Sequence, residues 1–335
     1  MKNKKRLVYL SKILISGILA FSILTLFCYI YYNIPAHSIC EDGATDYTWE
    51  ASVFRSRGTE GFSWGKTNNE GYNNLFDFSP ANQIDILIIG SSHMEAFQVA
   101  ADESVSSLLN SMLPDDLVYN IGVSSHNFLT CVCNLEAALN KYQPTKYVIM
   151  ETGTINFSDS NVRKALDGTL PEASSHTEGI IGLIQHNQFL RLMGAQIQHY
   201  LKNQNINDDI TENAPTDSSS SNNKLLLNEL LSKISLISQN NNVQLVVLYH
   251  PSIKVCPDGS MQISQDEETI SNFERLCFNN NIIFLDMSNR FLQEYEKDYT
   301  LPYGFANSSV GSGHLNKHGH AMIAEELYKL ILEGE

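Results

Sequence analysis

Two short stretches at opposite ends of the chain carry residue types that could do nucleophilic chemistry. Gly90-Ser91-Ser92-His93 follows the apolar run Ile84-Asp85-Ile86-Leu87-Ile88-Ile89, and Gly313-His314-Leu315-Asn316-Lys317-His318-Gly319-His320 opens a helical pattern near the C-terminus. A serine hydroxyl is a weak nucleophile near neutral pH and needs a base within hydrogen-bond reach. A serine just past a buried strand and a histidine just before a helix supply such a pair, and the chemistry it suits is acyl-ester cleavage or transfer. Taken singly, Ser92 could simply cap the turn after its strand, and His314 could be an ordinary residue at a helix start. His314 and His318 lie four apart on one helical face and could share a metal, but no second cluster of carboxylates or cysteines supports that. No metal or nucleotide cofactor is implied.

These residues must be positioned by a scaffold, and the pattern after residue 83 specifies one. Strand-like runs at 84–89, 117–121, 147–150, 243–249 and 282–285 alternate with helical patterns at 103–113, 127–142, 224–239, 267–279 and 317–333. Apolar strands separated by amphipathic helices predict an α/β fold, a parallel five-stranded sheet between two helical layers. Ligands in such sheets bind beyond the carboxyl ends of the strands, where Ser92 falls. An insertion at about 158–223 interrupts the alternation, helical over 179–202 and then rich in Asn, Asp and Ser over 204–223, a surface-loop composition.

Lys2, Lys4, Lys5, Arg6 and Lys12 precede an uncharged run from Ile13 to Tyr32, about the 20 residues a membrane-spanning helix needs. The basic tail of residues 1–12 predicts a cytoplasmic N-terminus and an extracytoplasmic remainder, with the lipid bilayer as partner of residues 13–32. A cleaved signal peptide is the rival reading, although its apolar stretch is usually shorter and no Ala-x-Ala site follows. Residues 33–83, polar and aromatic, read as a stalk and lead-in. The 335-residue chain carries a net charge of -15, which argues against nucleic acid as a partner. Of six cysteines, five follow the apolar span. An extracytoplasmic setting leaves room for one or two disulfides, but most read as small core residues.

Four segments occur in a fixed order: Gly90-Ser91-Ser92-His93, Asn120-Ile121-Gly122-Val123-Ser124, Glu151-Thr152-Gly153-Thr154-Ile155-Asn156, and His314-Leu315-Asn316. In that order, and in their placement after strands, they resemble the four blocks of the SGNH (GDSL-like) hydrolase family, over about 84–157 and 243–333. The resemblance implies a flavodoxin-like three-layer sandwich with Ser92 as nucleophile and His314 as general base. It also implies an oxyanion hole made by the N–H groups of Ser92 and Gly122 and the side chain of Asn156. The chain departs from the family twice. Asn156 falls one residue late for Gly-x-Asn, so that Thr154 could substitute as donor. The family's Asp, three residues before the histidine, is here Gly311. Ser312, a backbone carbonyl or Asp286 could orient the histidine instead. His93, His126 and His250 follow strand ends and could line the cleft. Thr67-Asn68-Asn69-Glu70-Gly71-Tyr72 resembles a lead-in of membrane-anchored members, which supports the envelope setting rather than any chemistry. Such anchored members are tied to acetylation of cell-surface polysaccharides, so the family resemblance implies an acylated cell-envelope carbohydrate as ester substrate and a membrane acyl-donor protein as partner. The departures leave a catalytically silent, glycan-binding or scaffolding domain as the alternative.

Overall fold

The computed structural model describes residues 2–31, 33, 35–40, 42–55, 60–169, 187–194, 197, 221–308 and 310–334. Most of the expected loop at 204–223 and much of the expected helix at 179–202 lie outside them; the last three residues of that loop, 221–223, instead open a helix. Helix α1 (Lys2–Tyr31) is long and apolar enough to cross a membrane. Ile13, Leu14, Ile18, Leu19 and Leu26 along it are each more than half exposed.

Two small antiparallel pairs come next, β1 (His37–Ile39) with β2 (Tyr47–Trp49) and β3 (Val53–Arg55) with β4 (Trp64–Lys66). This lead-in is not a free stalk. Tyr47, Trp49, Phe54 and Tyr72 are buried in the same apolar cluster as the sheet. The Trp49 Nε1–H donates to Glu95 at 2.5 Å, and Asn68 Nδ2 donates to the Tyr119 hydroxyl at 2.8 Å. A lone polar stretch with no periodic apolar face gives no sequence hint of this docking, because its buried aromatics are scattered.

The central sheet contains β5 (Ile86–Ile89), β6 (Val118–Asn120), β7 (Tyr147–Thr152), β8 (Gln244–Tyr249) and β11 (Ile283–Asp286). Its order is β11-β8-β7-β5-β6, and every pair is parallel. Ile, Val and Leu dominate these strands because both faces are covered. Leu87, Ile89, Val148, Met150, Leu245 and Val247 face one apolar cluster, whereas Ile86, Ile88, Ile149, Val246 and Leu248 face the other, the period of two that a pleated strand imposes. Helices α4 (Phe128–Tyr142), α5 (Asp159–Leu166), α6 (Ser221–Asn240) and α7 (Glu267–Asn279) cover the first face. Helices α3 (Val105–Met112), α8 (Ser288–Asp298) and α9 (Lys317–Gly334) cover the second. A further antiparallel pair, β9 (Ile253–Val255) with β10 (Met261–Ile263), extends from the end of β8.

The strand order reverses between β5 and β7. In open parallel sheets the crevice beyond the strand ends at this switch point is the ligand site. All six cysteines are unbridged, and Cys28, Cys131 and Cys277 are buried.

Candidate active site

Ser92 is the first residue of α2 (Ser92–Glu95), a single helical turn set on the end of β5. Ser91 caps it, its hydroxyl accepting the His93 N–H at 3.3 Å. The Ser91 N–H donates to Glu151 Oε2 at the end of β7, at 2.6 Å. The nucleophile turn is therefore tied across the switch point to the neighbouring strand.

His314 reaches the same place from the loop before α9. The loop is pinned on both sides: Tyr303 and Leu315 form a β-bridge, and Asn316 Nδ2 donates to the Leu301 carbonyl at 2.8 Å. Asn316 Oδ1 accepts the His318 and Gly319 N–H groups and so caps α9. Ser92 Oγ and His314 Nε2 stand 2.8 Å apart, hydrogen-bond distance for a hydroxyl donating to the ring nitrogen.

The other ring nitrogen, Nδ1, is hydrogen-bonded to the carboxylate of Glu60. Glu60 comes from the lead-in, 254 residues away in sequence, and also accepts the His314 backbone N–H at 3.4 Å. Its neighbour Gly61 is clamped by Asn307, which accepts the Gly61 N–H at 2.9 Å and donates to the Gly61 carbonyl at 2.8 Å. Gly313, at φ 88°, has no Cβ because that atom would overlap Glu60 Oε1. A carboxylate, an imidazole and a hydroxyl thus form one hydrogen-bonded line. The carboxylate fixes the tautomer that leaves Nε2 free to take the serine proton.

Asp286, expected as an orienting carboxylate, is placed elsewhere. Its Oδ1 accepts the Ser288 N–H at 2.9 Å and the Ser288 hydroxyl at 2.6 Å just ahead of α8, the local turn that a short acid makes with the residue two further on. Ser312 lines the pocket beside the histidine loop. His126 is buried against Asp46 at 3.5 Å and against the Tyr47 ring; burial lowers its pKa, with Asp46 opposing. It does not line that pocket.

Two of the expected oxyanion donors are engaged otherwise. The Gly122 N–H donates to Asn120 Oδ1 at 2.9 Å, and a Cβ at Gly122 would crowd Met94 and the Glu95 N–H. This glycine serves close packing of the β6 loop on α2. The exposed Asn156 turns its amide to Gln265 at 2.6 Å. The extra residue in its loop carries it past the strand end. Thr154 is also exposed; its hydroxyl accepts the Asn156 N–H at 3.2 Å, and its own N–H donates to the Thr152 hydroxyl at 3.3 Å. The Ser92 N–H has no hydrogen-bond partner among the described residues.

The pocket beside the dyad is lined by His93, Gly153, His250, Ser252, Ile253, Tyr303 and the run Gly311 to Gly313. Its floor is a buried network. His250 Nε2 donates to Glu151 Oε1 at 2.5 Å, and His250 Nδ1 contacts the Tyr303 hydroxyl at 2.8 Å. That hydroxyl donates to the carbonyls of His250 and Pro251, each at 2.9 Å. Burial works to raise the Glu151 pKa, but His250, His93 and the Ser91 N–H outweigh it and hold the carboxyl down at about 2. His250, expected at the cleft, lines the pocket; Glu60 and Glu151 are the site residues that sequence reading missed. Glu151 did stand within the third motif, as the polar residue at the end of an apolar strand.

No protein-family model matches the chain, and no curated protein matches it. Solved structures do. Esterase EstA from Pseudoalteromonas sp., in a structure inhibited by monoethylphosphonate, is similar at 16% identity over 74% of this chain and 97% of its own, with a TM-score of 0.41. An acetyl xylan esterase, AlAXEase, is similar at 13% identity over 74% of this chain and 100% of its own, with a TM-score of 0.44. A member of the lipolytic G-D-S-L family from Veillonella parvula is similar at 12% identity over 73% of this chain and 97% of its own, with a TM-score of 0.40.

Proposed function

We propose that this chain is a membrane-anchored SGNH-type serine acyl-ester hydrolase or O-acyltransferase that works through an acyl-Ser92 intermediate. The observation that carries this reading is the line from Ser92 through His314 to Glu60. Ser92 attacks the ester carbonyl while its proton passes to His314 Nε2, and Glu60 stabilises the imidazolium that forms. His314 then returns the proton to the departing alcohol. Water as second acceptor gives an esterase, and a sugar hydroxyl gives a transferase.

The small pocket walled by Gly153, Gly311 and Gly313 favours a short acyl group such as acetyl. Two exposed rings, Phe62 at 64% and Trp64 at 66%, lie two and four residues beyond Glu60. Exposed flat apolar faces suit the C–H face of a sugar ring, which supports a cell-envelope glycan as the alcohol component. The exposed apolar surface of α1, with its basic start, supports a single-pass anchor with a cytoplasmic N-terminus. A transferase would draw its acyl group from a donor protein in the same membrane. The silent glycan-binding reading finds its support in the engaged Gly122 N–H and Asn156 amide.

The test uses full-length protein in detergent with p-nitrophenyl acetate, a serine-directed phosphonate and a Ser92→Ala control. Turnover and labelling that vanish in the control support the enzyme; absence of both in the parent protein favours the silent domain. Product analysis of an acetylated oligosaccharide, with and without an acceptor sugar, separates hydrolase from transferase. Trp64→Ala is expected to raise KM for the oligosaccharide roughly fivefold, about 1 kcal/mol of lost apolar contact, and to leave p-nitrophenyl acetate turnover unchanged. Equal effects on both substrates would remove the sugar from this surface.

A further inference from the structure

An acyl transfer through Ser92 puts a full negative charge on the former carbonyl oxygen, and preorganised donors aimed at that oxygen supply much of the catalysis. The Gly122 N–H and the Asn156 amide are spent elsewhere. His93, the residue after the nucleophile, lies against the dyad. Its ring centroid is 5.2 Å from that of His314 and 4.6 Å from that of His250.

The protonation of this ring follows from one contact. The Leu315 backbone N–H donates to His93 Nδ1 at 3.2 Å. A backbone N–H can only donate, so Nδ1 holds a lone pair and the neutral ring carries its proton on Nε2. Nε2 has no hydrogen-bond partner among the described residues, and His93 lines the pocket beside Gly153 and Gly313. Burial drives the His93 pKa well below the ordinary histidine range; His250 and His314 push the same way, and Glu151 opposes. A neutral ring is also what the reaction requires, because a second imidazolium would repel the one forming on His314.

We propose that the Nε2–H of His93 donates to the carbonyl oxygen of the bound ester and, with the Ser92 N–H, forms the oxyanion hole. This rests on the acyl-Ser92 reading above. As Ser92 Oγ bonds to the carbonyl carbon, its proton moves to His314 Nε2 and the carbonyl π pair moves onto oxygen, which accepts the His93 Nε2–H. Collapse re-forms the carbonyl and breaks the bond to the alcohol oxygen. That oxygen takes the proton from His314, leaving acyl-Ser92 and free alcohol.

The experiment compares p-nitrophenyl acetate with its thiono analogue, in which sulfur, a poor hydrogen-bond acceptor, replaces the carbonyl oxygen. Full-length protein, His93→Leu and His93→Gln are assayed in detergent. His93→Leu is expected to lower kcat on the oxygen ester by about 100- to 1,000-fold, the loss typical of one missing oxyanion donor, with KM little changed. The preference for oxygen over sulfur should collapse with it. His93→Gln keeps an N–H donor and should recover at least part of kcat and of the preference. An unchanged oxygen-to-sulfur ratio in His93→Leu overturns the proposal, whatever happens to kcat, because a merely structural role does not sense the carbonyl atom. If His93→Leu does not fold, His93→Phe, which also lacks a donor, is read by the same ratio. A parent protein that neither turns over the ester nor takes phosphonate on Ser92 overturns the acyl-serine reading itself, and this proposal with it.

Discussion

Replacing Glu60 with glutamine removes one charge from the site and changes little else in shape. Glu60 and His314 are 22% and 26% exposed, so the pair is partly screened. Two unit charges about 4 Å apart attract by ~1 kcal/mol in water and ~4 kcal/mol at the effective dielectric near a protein surface. A hydrogen bond to a charged group contributes about 1.5–3 kcal/mol, which falls between those limits. At about 1.4 kcal/mol per tenfold in rate, Glu60→Gln should lower kcat roughly 10- to 150-fold. This is less than the ~10,000-fold cost of the same change in a fully buried triad, because water can partly take the carboxylate's place. The assay is steady-state hydrolysis of p-nitrophenyl acetate by the full-length protein, with Asp286→Asn as companion. Asp286→Asn should leave kcat within twofold, since Asp286 is engaged with Ser288 and not with His314. The reasoning is refuted if Glu60→Gln keeps kcat within twofold, or if Asp286→Asn loses as much as Glu60→Gln.

Gly313→Ala should lower kcat about as far as Glu60→Gln, because its Cβ would displace the carboxylate. The double variant should add little further loss, as for two changes acting on one contact; full additivity of the two would separate Gly313 from Glu60. Acid should weaken the fold through His320, whose pKa burial lowers from 6.5 to about 3. Above pH 6.5 both states hold it neutral. Below that, the unfolded chain binds a proton that the folded one refuses, so stability falls by about 1.4 kcal/mol per unit as pH drops towards the folded value. Urea unfolding at pH 7.5 and 4.5 should therefore show a His320 contribution of roughly 2–3 kcal/mol that His320→Leu removes. An unchanged pH slope in that variant would show that His320 is already protonated in the fold or free to open.

The sheet was legible because its strands are uniform apolar runs with turns between them. Observed strand bounds such as Tyr147–Thr152 and Gln244–Tyr249 fall within two residues of the runs at 147–150 and 243–249. Helix α8, Ser288–Asp298, went unread, because only Phe291 and Tyr295 of its large apolar residues are buried. Ser92 and His314 stood out through their chemistry and their place at element ends. Glu60 could not be found that way. It sits in a segment with no period, and its partner is 254 residues distant. The only local trace was negative: glycine at 313, whose missing Cβ makes room for a carboxylate from elsewhere. The engagement of the Gly122 N–H with Asn120 was hidden for a related reason, since a backbone N–H looks the same in sequence whether it is free or bound.

The origin of Glu60 also bears on how this catalytic unit can be cut. A fragment trimmed to the first strand of the large sheet would retain the serine, the histidine and most of the apolar core, yet begin downstream of the carboxylate. A protease nick between Glu60 and that strand would do the same without removing any residue of the alternating α/β pattern. A nick between Tyr31 and the first lead-in strand would instead release a soluble unit with its triad intact. For the anchored enzyme proposed above, whether shedding keeps or cripples activity is thus decided by some fifty residues that look like a spacer.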